Sequence, residues 1–159
     1  MAEAYDADYQ HYIGVKHIQA RPMSHKEHRL GKGMGWQGDI PNEPGYEVMY
    51  PDGYKSWSPK QVFENAYFPM GEGADPTKVN EDMVDRFIVD HESVKLGNKT
   101  TVCRVVLAND FEITASSACV DEKNYDHALG QKIAFGRAKD QVWKLLGFLL
   151  QSARFGIKR

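Results

Sequence analysis

With 159 residues, the chain has room for one ordinary domain or two small modules sharing a core. An apolar fraction of 42% and a charged fraction of 26% fit a water-soluble globular protein, and a net charge of −2 excludes indiscriminate nucleic-acid binding by the chain as a whole. No apolar run approaches the roughly 20 residues that span a bilayer, and the acidic start Met1-Ala2-Glu3-Ala4-Tyr5-Asp6 lacks the basic and apolar regions of a secretion signal. The expected place of action is therefore the cytoplasm in which the chain is made.

The first ten residues read as a flexible acidic arm. Tyr12–Ala20 alternates as a strand through Ile13, Val15 and Ile18, and Arg21-Pro22 ends it. Pro22–Gly45 is rich in Gly, His and Pro and is expected to loop around a helical turn at Ser24–Leu30, with Ser24 and Glu27 spaced as a capping box. Pro51-Asp52-Gly53 between two aromatic-rich runs is a hairpin signal. Its register places Tyr50 opposite Tyr54 and Val48 opposite Ser56, with Glu47, Met49, Lys55 and Trp57 on the other face. Ser58-Pro59 reads as an N-cap followed by the first helical residue, opening a helix to about Tyr67 that buries Val62, Phe63 and Ala66. Residues 11–68 form this hairpin and helix module, and 69–78, rich in Gly, Ala and Pro, form a linker.

Residues 79–159 are expected to fold as a ββα module. Asn80 caps a short helix with Met83, Val84, Phe87 and Ile88 at helical spacing, and a strand over His91–Leu96 follows. Two strands then meet at Asn109–Asp110. Taken as a two-residue loop, that pair sets Ala108 opposite Phe111 and Cys103 opposite Ser116. Val102, Arg104, Val106, Phe111, Ile113 and Ala115 then share the face that receives a helix, and Cys103 and Cys119 fall on opposite faces, unable to form a disulfide. The first of these strands is apolar on both sides, which places it inside a larger sheet.

The closing helix begins near Asn124 or Asp126 and runs to about Arg154. Ala134, Phe135, Ala138, Val142, Leu145, Leu146, Leu149 and Ala153 make one stripe. Lys132, Arg137, Lys139, Lys144, Arg154 and Lys158 lie opposite, interleaved with Leu129, Ile133 and Trp143. Gly147 weakens the helix interior by ~1 kcal/mol relative to Ala. The fold class is α+β, a small antiparallel sheet packed on a long C-terminal amphipathic helix, preceded by the hairpin and short helix.

Chemistry is sparse. His25-Lys26-Glu27-His28, with His11 and His17 nearby, could bind a metal in principle, but no cysteine or carboxylate pattern completes a ligand set, so no metal or cofactor is expected. Gly31-Lys32-Gly33-Met34-Gly35 has the composition of a phosphate loop without its strand and helix context. No Ser/His/Asp or Cys/His set assembles, so no catalytic residue is assigned and a binding protein is expected. Tyr46, Tyr50, Tyr54 and Trp57 are dense enough to stack on a base or ring, although cross-strand packing is the commoner role of such aromatics. The candidate ligand-binding residues are Tyr50, Tyr54, Trp57, Arg104, Ser116, Lys132, Arg137 and Lys139. Ile133, Trp143 and Lys144 are the candidate partner surface, most simply for a second copy of the chain.

The blocks Thr101-Val-Cys-Arg-Val-Val-Leu, Asn109-Asp-Phe-Glu-Ile-Thr, Ser117-Ala-Cys-Val-Asp and Gly130-Gln-Lys-Ile-Ala, ending in Trp143-Lys-Leu-Leu-Gly-Phe-Leu-Leu, resemble the gp-forty-nine-like family of tailed bacteriophages. The resemblance runs from about Asn80 to Arg154, with Asp110 standing where the family usually has Gly. The earlier block from Tyr12 through Pro51-Asp-Gly-Tyr-Lys-Ser-Trp-Ser-Pro resembles a module found beside it in small phage proteins. The resemblance implies a phage accessory protein with a non-virion role in the host cytoplasm, and no catalytic residues transfer. The expectation is a homo-oligomer that counters host defence by sequestering a nucleotide immune signal. Two alternatives are masking a host defence protein and binding single-stranded nucleic acid, the latter not favoured by the net charge.

Overall fold

The turn at Pro51-Asp52-Gly53 organises the N-terminal part of the chain. Gly53 takes φ 85°, a left-handed backbone that glycine adopts without strain, and the Asp52 carboxylate accepts from the Tyr54 N–H at 3.0 Å. Strands β2 (Gly45–Met49) and β3 (Lys55–Pro59) pair in the expected register, Val48 opposite Ser56 and Met49 opposite Lys55. A short strand β1 (Gln19–Pro22) lies antiparallel to β2, giving the order β1-β2-β3. The strand expected over Tyr12–Ala20 is thus displaced. It starts at Gln19, opposite Met49, because β2 ends there and offers the preceding residues no partner. Pro22 closes it on an edge, where a missing N–H interrupts no ladder.

The structure, a computed structural model, describes Gln10 and residues 12–158; His11 and the expected acidic arm, Gln10 apart, lie outside the described residues. Helix α1 (His25–Gly31) has the expected capping box. The Ser24 N–H donates to Glu27 Oε2 at 2.8 Å and the Glu27 N–H donates to Ser24 Oγ at 3.3 Å. The backbone bond, then that from the Ser24 hydroxyl, holds the Glu27 carboxyl below its usual range. Helix α2 (Lys60–Ala66) begins later than Ser58-Pro59 suggested, since those two residues complete β3 opposite Tyr46 and Gly45. It also buries less. Phe63 stacks on Tyr46 at 4.2 Å, whereas Val62 and Ala66 are exposed.

The described residues divide into two compact units, one holding those up to Phe63 together with those from Gln151 onward, the other Glu64–Leu150. The second unit is built on helix α3 (Glu81–Phe87) and strands β4 (Ile88–Leu96), β5 (Thr100–Leu107) and β6 (Glu112–Ala118), ordered β4-β5-β6. Asn80 Oδ1 accepts from the Met83 N–H at 2.8 Å and caps α3, whose Met83, Val84 and Phe87 are buried. β5 is central, as its two-sided apolar pattern required. Helix α4 (His127–Phe155) passes through Gly147 without ending. Its Ala134, Ala138, Val142 and Leu146 close the core over Cys103, Val105, Leu107 and Ile113. Leu145 and Leu149 share that stripe by helical projection yet stay 40% exposed. With two small antiparallel sheets and a long closing helix, the fold is α+β.

The β5–β6 hairpin departs from its expected register. The Asp110 N–H donates to the Leu107 carbonyl and the Leu107 N–H to the Phe111 carbonyl, both at 2.9 Å, and Asp110 takes φ 63°. The loop therefore has three residues, Ala108-Asn109-Asp110, a type I turn closed by a left-handed residue. Cys103 faces Ala115, not Ser116. A slip of one residue turns β5 over relative to its partner. Thr101, Cys103, Val105 and Leu107 face the helix with Ile113 and Ser117, while Val102, Arg104 and Val106 face away. The assignment of the two thiols to opposite faces fails with the register. Cys103 is buried in the core, Cys119 follows the end of β6, and both are free.

A left-handed aspartate is the weak point of this loop. Asp110→Gly is expected to stabilise the protein by about 0.5–1 kcal/mol, because glycine removes the Cβ penalty at that φ. A urea melt measures it, and a lowered midpoint would mean that the aspartate side chain holds the turn.

Candidate functional site

Tyr50 and Tyr54 flank the β2–β3 turn, and the Tyr50 N–H donates to the Tyr54 carbonyl at 2.9 Å. This pairing sets their rings side by side, 5.9 Å between centroids and 28° between planes. Each ring also carries an ammonium group. Lys16 Nζ lies 5.1 Å from the Tyr50 centroid and Lys32 Nζ 5.5 Å from that of Tyr54. Lys16, His17, Tyr50, Asp52, Tyr54 and Ala153 line an open cleft of about 640 Å³, within the roughly 300–1,000 Å³ typical of small-molecule sites. The His17 N–H donates to the Ala153 carbonyl at 3.3 Å and ties the backbone beside Lys16 to one wall.

Trp57, the third aromatic candidate, belongs to the other face of the hairpin, since alternate strand residues point opposite ways. It stacks on His25 at 4.4 Å, and its indole N–H donates to the Met23 carbonyl at 2.8 Å. On the same face Glu47 gathers Arg21, Lys55 and the buried His28, whose Nδ1 lies 3.3 Å from Glu47 Oε1. Burial pushes the Glu47 carboxyl up, but hydrogen bonding and charge from Arg21, with Lys55 and His28, outweigh it and hold the group below its usual range. His25 therefore packs on Trp57, and His28 lies against the Glu47 carboxylate. Among the described residues no group of three or more His, Cys, Asp or Glu is placed to hold a metal ion.

Three of the cationic candidates of the second unit, Arg104, Arg137 and Lys139, are occupied by the fold. Arg104 donates to both oxygens of Glu112, at 2.7 and 2.9 Å, and to Glu92 at 3.3 Å. Glu112 first, then Glu92 and Asp90, raise the Arg104 pKa, and the same pairing holds the Glu112 carboxyl low. Lys139 bridges Asp85 at 2.7 Å and Glu81 at 3.1 Å, which tie α4 to α3 and raise the lysine's pKa. Arg137 donates to the Ser116 carbonyl at 2.6 Å, and Gln141 to that of Thr114 at 3.4 Å. These two α4 side chains cover outward carbonyls of the edge strand β6, a position otherwise open to strand addition. Lys132, Ile133, Trp143 and Lys144 remain exposed on α4. Of the ligand-binding candidates in the N-terminal unit, the fold brings together Tyr50 and Tyr54 and sends Trp57 elsewhere.

Residues 62–154 match the model of the Phage protein (N4 Gp49/phage Sf6 gene 66) family. The chain belongs to that family. No curated protein and no solved structure matches it. The chain is thus a phage accessory protein, and the resemblance expected from about Asn80 to Arg154 holds. The match takes in the whole of the Glu64–Leu150 unit, whereas Lys16, Lys32, Tyr50 and Tyr54 all precede it. Among the described residues of this N4 Gp49/Sf6 gene 66 family member, no helix is long and apolar enough to cross a membrane.

Lys16 and Lys32 were not legible as site residues. Lys16 lies 34 positions before Tyr50 in an irregular segment, and no local pattern links a lysine there to an aromatic hairpin tip. Lys32 carried a faint signal, the Gly-Lys-Gly composition, but its meaning was a reach to Tyr54 and to the Lys55 carbonyl at 2.6 Å.

Proposed function

We propose that this phage accessory protein acts by binding rather than catalysis, in the host cytoplasm, and counters host immunity by holding a nucleotide signal in the Tyr50–Tyr54 cleft. The observation that carries this reading is the paired tyrosines with an ammonium over each ring, beside a cleft large enough for a nucleotide. Aromatic faces take bases of any identity, and lysines supply the charge that phosphate requires. The lining offers rings, the Lys16 ammonium and a carboxylate engaged in its own turn, which suits holding a ligand better than transforming one. Self-association through the exposed Ile133 and Trp143 would multiply the sites in each particle.

Melting curves with ADP-ribose and with cyclic mono- and dinucleotides test this. At a hundredfold excess over Kd a ligand that binds only the folded state adds about 2.7 kcal/mol, which for a protein of this size is a rise of several degrees. No rise with any member of the panel removes the reading.

A further inference from the structure

The two lysines over the tyrosine rings are unequal. The rings of Tyr50 and Tyr54 are 5.9 Å apart, too close for a flat ligand between them, which needs about 7 Å, twice the ~3.5 Å contact distance. A ligand ring can therefore stack only on an outer face, and an ammonium lies over each ring. Lys32 is anchored by its bond to the Lys55 carbonyl and does not line the cleft. Lys16 lines the cleft and, among the described residues, has no hydrogen bond or ion pair; its sole contact of that kind is the Tyr50 ring. Its backbone neighbour His17 is tied down, so the side chain can swing while its root stays in place. At the turn end of the cleft Asp52 contributes a carboxylate, which repels phosphate and directs any anion toward Lys16 and His17.

Resting on the nucleotide reading, we propose that Lys16 is the residue that reads the phosphate. It caps Tyr50 in the free protein, and when a base takes its place on that ring it moves onto the ligand's phosphate. The ligand class is a planar ring carrying phosphate. A neutral ring must displace Lys16 with nothing gained in return, whereas a phosphorylated one exchanges a cation–π contact for a charge-assisted bond.

Calorimetry at low salt with ADP-ribose and adenosine, on the wild-type full chain and on Lys16→Met and Tyr50→Leu, is the test. Wild type is expected to prefer ADP-ribose by about tenfold or more, the worth of one charge-assisted contact. Lys16→Met, which keeps the aliphatic stem, should bind adenosine as well as wild type or better and lose most of that preference; Tyr50→Leu should lose both ligands. A preference retained in Lys16→Met, or equal weakening of both ligands, overturns the assignment. Binding of neither probe by a wild type that does respond to a cyclic nucleotide overturns it too while sparing the broader reading. A wild type that responds to no nucleotide takes both down.

Discussion

Gly130→Ala is expected to destabilise the protein by about 1–3 kcal/mol, lowering the melting temperature by several degrees. In an ordinary helix the same change is worth up to ~1 kcal/mol in the opposite direction, so the sign is diagnostic. A Cβ at this position would run into Thr101 Oγ1, with Thr101 Cβ at 3.0 Å and Ser117 Oγ at 3.4 Å. None of these neighbours can move aside freely. Thr101 is fully buried, and its hydroxyl lies 2.9 Å from the Tyr125 hydroxyl, which in turn lies 2.9 Å from His127 Nδ1. Ser117 donates to the Gly130 carbonyl itself at 2.8 Å. The added methyl must lift the start of α4 from the sheet or break this polar cluster. Gly136→Ala in the same helix meets nothing within 4 Å and supplies the control. Thermal and urea melts should move in opposite directions for the two variants, and a Gly130→Ala protein as stable as Gly136→Ala would refute the close approach.

Gly45→Ala is expected to be worse, at about 3 kcal/mol, the upper end for overpacking. Its Cβ would overlap the Ser58 carbonyl and come within 2.5 and 2.6 Å of the Trp57 ring. The carbonyl is backbone of the paired strand, where Ser58 lies opposite Tyr46 and Pro59 opposite Gly45. Trp57 is held by its stack on His25 and its bond to Met23. Relief therefore requires separating β2 from β3. Loss of the Trp57 indole N–H resonance from its wild-type position, together with a lowered melt, is the expected result, and an unchanged resonance would show that the strand end accommodates a methyl.

Local chemistry and periodicity carried much of the fold. Ser24 with Glu27, Asn80 before Met83, and Pro51-Asp52-Gly53 each act within a few residues, so their capping and turn geometry is written in the chain. The β2–β3 register followed from the turn alone, because Gly53 supplied the left-handed residue where one was required. The family was legible as well, in the blocks from Thr101 onward.

The β5–β6 register was not legible, since Asn109-Asp110 is compatible with a two- or a three-residue loop. What chose between them is burial: Thr101, Cys103, Val105 and Leu107 fit under Ala134, Ala138 and Val142, and a slip of one residue would point Arg104 into that core. The candidate site shows the same limit. Sequence put Tyr50 beside Tyr54 through strand pairing. Only tertiary structure engaged Arg104, Arg137 and Lys139 with distant carboxylates and carbonyls, and only it brought Lys16 to the Tyr50 ring. Caps and turns depend on neighbours three or four residues away, but a charge is assigned its partner by whatever the whole chain folds beside it.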